Sequence, residues 1–174
     1  MKNSIIDGVA LISLPKYEDH RGDFIKLCLP QIDSLMPFHT VQDEFLTLSK
    51  KDVLRGMHFQ VPPFDHNKLV FCQSGAVLDV LVDLRRGESF GTVDSFILDG
   101  KVSKVLFIPS GVAHGFLSLE DETRMHYKTT TKHSPSHDKG ILWKSIDFNW
   151  PIDSPLISKR DSEFPSINEM ESFF

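Results

Sequence analysis

The residues best equipped for chemistry in this chain are Arg55 and His58, in the stretch VLRGMHFQ at 53–60, and then Lys68, His114 and Tyr127. A neutral histidine is a competent base near pH 7. Tyrosine supplies a proton from another direction, and lysine or arginine steadies an oxyanion or holds a phosphate. Base, acid and cationic stabiliser together suit removal of a proton next to a carbonyl, through an enolate, without a cofactor. That set fits isomerases and epimerases better than hydrolases. The chain has no Gly-x-Ser-x-Gly elbow, no Gly-rich phosphate loop and no dinucleotide fingerprint. Taken singly, each residue has a plainer role: a hydrogen-bonded sheet histidine, a solvated lysine at a strand start, a tyrosine packed in a core.

The elements that must position these groups read as strands. Val53, Leu54, Met57 and Phe59 suit a half-buried pleated surface. Arg55 and His58 are three apart, so strict alternation sends them to opposite faces, and a bulge at Gly56 returns them to one. AVLDVLVDLR alternates, with Leu78, Val80, Val82 and Leu84 on one face and Asp79 and Asp83 on the other. VDSFILDGKVSKVLFIP holds two apolar stretches with Asp99-Gly100 as a turn between them, and GFLSL with RMHYKTT makes another pair. Many short strands with Gly, Pro and Asp punctuation predict an all-β sandwich or barrel. Short helices are expected only in LPQIDSLMP and in SEFPSINEMESFF. From about Lys132 the chain turns rich in Pro, Ser and Asp. Trp143, Phe148 and Trp150 give that segment anchors, so it is expected to wrap the barrel.

Its 174 residues suffice for one domain with a sizeable core. The net charge of −5 gives no general attraction to nucleic acid or to an anionic membrane, though it allows a local basic pocket. Two cysteines, Cys28 and Cys72, form no disulfide framework. No signal peptide and no membrane-length apolar run is apparent, and a cytoplasmic location is expected. IPSGVAHGF resembles the second cupin motif, but the first motif's His-x-His is missing, because Phe59 and Gln60 follow His58. His66 sits in a loop eight residues on. The spacing does not argue for a metal site.

DHRGDF, VLRGMHFQ, KLVFCQSGAVLDVLVDLR, LFIPSGVAHGF, HYKTT, ILWKSIDFNWP and LISKRD, in that order, resemble the dTDP-4-dehydrorhamnose 3,5-epimerase family from Asp19 to Asp161. The resemblance implies a cupin-like jelly roll spanning 1–174 and a homodimer. It further implies epimerisation at carbon 3 and carbon 5 of a nucleotide-linked 4-keto-6-deoxy sugar, with no metal and no organic cofactor. Carried over residue by residue, it makes His58 the base, Asp161 its carboxylate partner, Tyr127 the acid on the opposite face and Lys68 the cation near the enolate oxygen. Arg55 and Arg21 match diphosphate-binding arginines, with Arg21 reaching across the dimer. His114 matches a further site histidine, and Phe24 and Gln42 fall at the nucleotide end.

The chain departs from the family pattern at Lys26, at Glu44, at Glu88 and Ser89, and at Lys132 with His133, where the family has a tyrosine pair. These departures leave two readings of Lys26 and Glu44: a changed base, cytosine or guanine in place of thymine, or a compensated ion pair. Epimerisation at a single carbon also stays open. The alternative from another class is a non-catalytic or metal-dependent cupin that binds a sugar nucleotide or other small anion.

Overall fold

The computed structural model describes residues 2–174, and their strands are β1 (Lys2–Asn3), β2 (Ala10–Ser13), β3 (Lys16–Asp19), β4 (Gly22–Ile25), β5 (Asp43–Ser49), β6 (Leu54–Gln60), β7 (Lys68–Ser74), β8 (Ala76–Asp83), β9 (Val93–Asp99), β10 (Lys104–Ile108), β11 (Val112–Ser118), β12 (Thr123–Thr129) and β13 (Asp138–Gly140). They form a six-stranded sheet ordered β1-β2-β10-β7-β12-β5, a five-stranded sheet ordered β13-β6-β11-β8-β9, and the separate hairpin β3-β4. From β5 to β8 and again from β9 to β13, successive strands alternate between the two large sheets, which is jelly-roll connectivity. The expected all-β jelly roll is therefore the observed fold. Two expected pairs do not form: β9 and β10, joined by the turn at Asp99-Gly100, enter different sheets, and β11 and β12 likewise lie in different sheets. The turn forms where the Asp-Gly signal predicts it, but long-range pairing decides the partners.

The inner faces of both sheets meet in one core, with Leu11, Val70, Leu106, Met125 and Tyr127 against Val77, Leu81, Phe96, Leu98 and Phe116. On β8 the two phases divide as the alternation predicts. Val80, Val82 and Leu84 point to the outer face, where Ile141, Ile146 and Ile167 of the C-terminal segment cover them. Asp79 and Asp83 point inward and are fully buried. The polar phase of this strand is thus the inside of the barrel, a placement that needs a partner for each carboxylate.

The C-terminal segment is held by its aromatics: Trp143 is buried, its carbonyl accepts from Trp150 Nε1 at 3.1 Å, and Phe148 packs on Trp150. Helix α1 (Pro30–Leu35) lies between the prolines as expected. The expected final helix does not form; Ile167–Glu169 makes one 3-10 turn with a Ser166–Glu169 capping box, and the helical turn nearest to it is α2 (Lys159–Ser162). No helix among the described residues is long and apolar enough to cross a membrane.

Candidate active site

The site is built around one irregularity in β6. In the ladder with β11, His58 faces His114 while Arg55 faces Phe116, so three steps on β6 match two on β11. The extra residue is the bulge expected at Gly56. Gly56 has φ +133°, and a Cβ there would sit 2.5 Å from Gly115 Cα, so only glycine fits. The bulge brings Arg55 and His58 to the same wall, and it turns the Gly56 amide out of the ladder. That N–H donates to Asp161 Oδ2 at 3.1 Å.

Asp161 arrives from α2, whose N-cap Ser158 accepts from the Asp161 N–H at 3.0 Å. Its other oxygen, Oδ1, lies 2.9 Å from His58 Nε2. Burial alone would raise the Asp161 carboxyl; the bonds from His58, Gly56 and Ser158 outweigh it and hold the group below the usual carboxylate range. An ionised Asp161 makes Nε2 the protonated nitrogen of a neutral His58 and leaves Nδ1 with a free lone pair. The ring is kept upright by Phe164, edge-on at a centroid distance of 5.7 Å. Phe164 fits because the strand opposite His58 carries Gly140, where a side chain would run into that phenyl ring.

A pocket opens on the other side of His58, lined also by Phe45, Gln60, His66, Lys68, His133 and Asp138. Burial pushes Lys68 down to about 8, with Asp79 and Asp138 opposing through space. Behind His58, His114 Nε2 donates to Asp79 Oδ2 at 2.7 Å, both groups buried. Burial lowers the His114 imidazole despite that partner, so its neutral form is favoured. Tyr127 is also buried, and burial raises its hydroxyl. Arg55 stands at the far side of His58, in a second cleft with Ser158 and Arg160. Among the described residues its guanidinium meets only neutral oxygens, Ser49 Oγ at 3.1 Å and the Leu48 carbonyl at 3.2 Å. A cation so placed suits an anionic ligand.

The structure therefore gathers His58, Asp161, Lys68 and Arg55, with His114 and Tyr127 just behind them. It does not bring Arg21, Phe24 or Lys26 to that wall. Arg21 and Phe24 are exposed on the β3–β4 hairpin, where Arg21 is paired with Asp19 at 2.6 Å, and Lys26 follows it in solvent. Gln42 is exposed just before β5. Glu44 lies on the outer face of β5, bonded to His126 at 2.7 Å and near Lys128 at 3.7 Å. It forms no compensated pair with Lys26. Lys132 is exposed and offers only its carbonyl, to Gln60 at 3.2 Å, whereas its neighbour His133 lines the pocket. Glu88 and Ser89 sit in the exposed turn after β8.

Asp79, Gln60, Asp138 and Phe164 join the site beyond the residues expected from the sequence, and His66 reaches it from its loop. Asp79 was visible as the polar phase of an apolar strand. Gln60, two residues after His58, ties both loops at the pocket mouth: its Oε1 accepts from the Ser134 N–H at 2.6 Å and its Nε2 donates to the Phe64 carbonyl at 2.8 Å. His66 lies within 3.2 Å of Gln60 and 3.1 Å of Thr131, and burial pushes it down to about 3. Among the described residues no three His, Cys, Asp or Glu side chains gather at metal-binding spacing. Nothing in the sequence marked Asp138 or Phe164.

The family model for dTDP-4-dehydrorhamnose 3,5-epimerase matches residues 3–169. A relative of that description from Shigella flexneri is 44% identical over 160 residues, covering 87% of each chain. The crystal structure of a dTDP-4-dehydrorhamnose 3,5-epimerase from Sulfolobus tokodaii superposes with TM-score 0.90 at 33% identity, covering 99% of this chain and 97% of that one. A 3'-monoepimerase from Streptomyces bikiniensis, solved with dTDP-quinovose, superposes with TM-score 0.89 at 26% identity, covering 97% of this chain and 88% of that one. With the match running through both sheets and the C-terminal turn that carries Asp161, this chain belongs to the dTDP-4-dehydrorhamnose 3,5-epimerase family.

Proposed function

We propose that this protein epimerises a dTDP-linked 4-keto-6-deoxy sugar at carbon 3, carbon 5 or both, in deoxysugar biosynthesis. The observation that carries this reading is the His58–Asp161 pair, 2.9 Å apart, opening onto a pocket that also holds Lys68. Both carbons flank the 4-ketone, so their protons are the acidic ones. His58 Nδ1 takes such a proton, and the C–H electrons pass into an enolate whose oxygen faces the Lys68 ammonium. A preorganised cation of that kind supplies about 3 kcal/mol to a developing oxyanion. Tyr127 returns a proton from the opposite face, which inverts the centre.

In the same reading Arg55 holds the diphosphate, and His114, kept in place by Asp79, lines the floor under the sugar. The nucleotide in this reading is thymidine diphosphate, as in the relatives named for dTDP-linked sugars and solved with them bound. Gln42 and Lys132 lie at the nucleotide end, together with Arg21, Phe24 and the adjoining Lys26 from the hairpin of a second copy in a homodimer. The hairpin's separation from the pocket of its own chain supports that last assignment.

Incubated in heavy water, the protein should wash deuterium into carbon 3, carbon 5 or both of a dTDP-linked 4-keto-6-deoxy sugar, followed by NMR, and faster than with CDP- or GDP-linked analogues. Absence of exchange from folded protein would refute the activity, and faster exchange with CDP or GDP would refute the base.

His58→Ala should lose at least about 100-fold in turnover. Mixing it with a weakened Arg21→Ala chain should restore roughly a quarter of the wild-type sites, as random pairing in a two-fold dimer requires. A mixture no better than its parts would exclude the shared site.

Lys68 must be charged to meet the enolate, and its value near 8 lies below the ordinary lysine range. The profile of kcat/KM should therefore fall as pH rises through about 8, since it reports the free enzyme. Lys68→Arg should keep its charge and lose that alkaline limb; a limb unchanged in this variant would clear Lys68 of the role.

A further inference from the structure

Phe45, which lines the pocket with His58 and Lys68, stacks on the ring of Tyr127. The two residues face each other across the β5–β12 ladder, and their rings stack at a centroid distance of 4.8 Å with 13° between the planes. Tyr127 also meets the ring of His114, at 6.1 Å and 67°. The phenol ring is thus held by contacts with a phenyl and an imidazole, and only 4% of Tyr127 is exposed. Phe45 itself is 42% exposed and shares the pocket wall with His58 and Lys68. It stands on β5, the outermost strand of its sheet, which is bonded to β12 alone. An apolar ring in so polar a wall has no electrostatic business with an enolate, and the residue it stacks on is the acid of the proposed reaction.

We propose that Phe45 is a positioning residue: by stacking on Tyr127 it fixes the phenol for proton return from the face opposite His58, and so decides whether abstraction ends in inversion. This rests on the epimerase reading of the site. Two routes leave the enolate. In one, His58 gives a solvent-exchanged proton back to the face it came from: the C=O re-forms, carbon gains deuterium in heavy water, and configuration is kept. In the other, the enolate carbon takes the Tyr127 proton, the C=O re-forms and the centre inverts; solvent re-protonates the phenolate, and His58 releases its proton to solvent. Only the second route needs the Tyr127 ring held still. A lost aromatic stack of this geometry corresponds to a population change of about 3- to 10-fold.

The test follows deuterium uptake and appearance of the epimer together, by NMR in heavy water, for wild type, Phe45→Ala, Phe45→Leu and Phe45→Tyr. For the Ala and Leu variants, the ratio of inversion to exchange should fall about 3- to 10-fold. Phe45→Tyr, which keeps a stacking ring, should restore the wild-type ratio. A structural role alone would lower both rates together, so an unchanged ratio in Phe45→Ala or in Phe45→Leu overturns the assignment. Wild-type protein that neither exchanges nor inverts would overturn the epimerase reading itself, and this one with it.

Discussion

The one extra residue in β6 is the constraint on which the rest of the site depends. Without the bulge, Arg55 and His58 would lie on opposite faces, and the Gly56 amide would be spent inside the sheet. With it, the amide turns to Asp161, the carboxylate turns to His58, and the guanidinium of Arg55 stands on the same wall. The surrounding elements supply what this arrangement needs. Gly115 leaves room beside the bulge, Gly140 leaves room for Phe164 against the imidazole, and Ser158 caps the short turn that delivers Asp161. The C-terminal segment matters through this delivery, because Asp161 comes from more than a hundred positions away in the chain.

Electrostatics in the site runs against the charge of the whole molecule. The chain carries a net −5, yet Arg55 and Lys68 flank His58, Arg55 bonded only to neutral oxygens among the described residues, while Arg160 close by is paired with Asp138 at 2.8 Å. Their local field, rather than the net charge, is what an anionic ligand meets in a cleft. The buried carboxylates divide the work. Asp161 is held ionised by donors and orients the base, while Asp79 sits deeper, bonded to His114 and acting on Lys68 through space. Lys68 is depressed by burial, so it is a cation that a modest rise in pH removes.

What could be read from the sequence was mostly local. The odd three-residue spacing of Arg55 and His58, with glycine between, was enough to call for a bulge. The prolines around α1 bounded it, and the alternation of β8 separated Asp79 and Asp83 from its leucines and valines. Pairing across the molecule was not legible from those patterns. Nothing near Asp99-Gly100 shows that its flanking strands enter different sheets. The inward direction of Asp79 depends on which sheet covers β8, and the link from His58 to Asp161 came through family resemblance alone. Glu44 shows the same limit: its type left a changed base or a pair with Lys26 open, and only the ladder reveals its contacts with His126 and Lys128. The covering of Tyr127 by Phe45 is a cross-strand event of the same kind.

Asp161 fixes His58 with its proton on Nε2, leaving Nδ1 as the base. Nitrogen NMR of histidine-labelled protein, at a pH where the ring is neutral, reads that tautomer directly. The account requires His58 to be the Nε2–H form in wild type and to lose that preference in Asp161→Asn, whose amide offers a donor to the same nitrogen. A wild-type ring protonated at Nδ1 would contradict it.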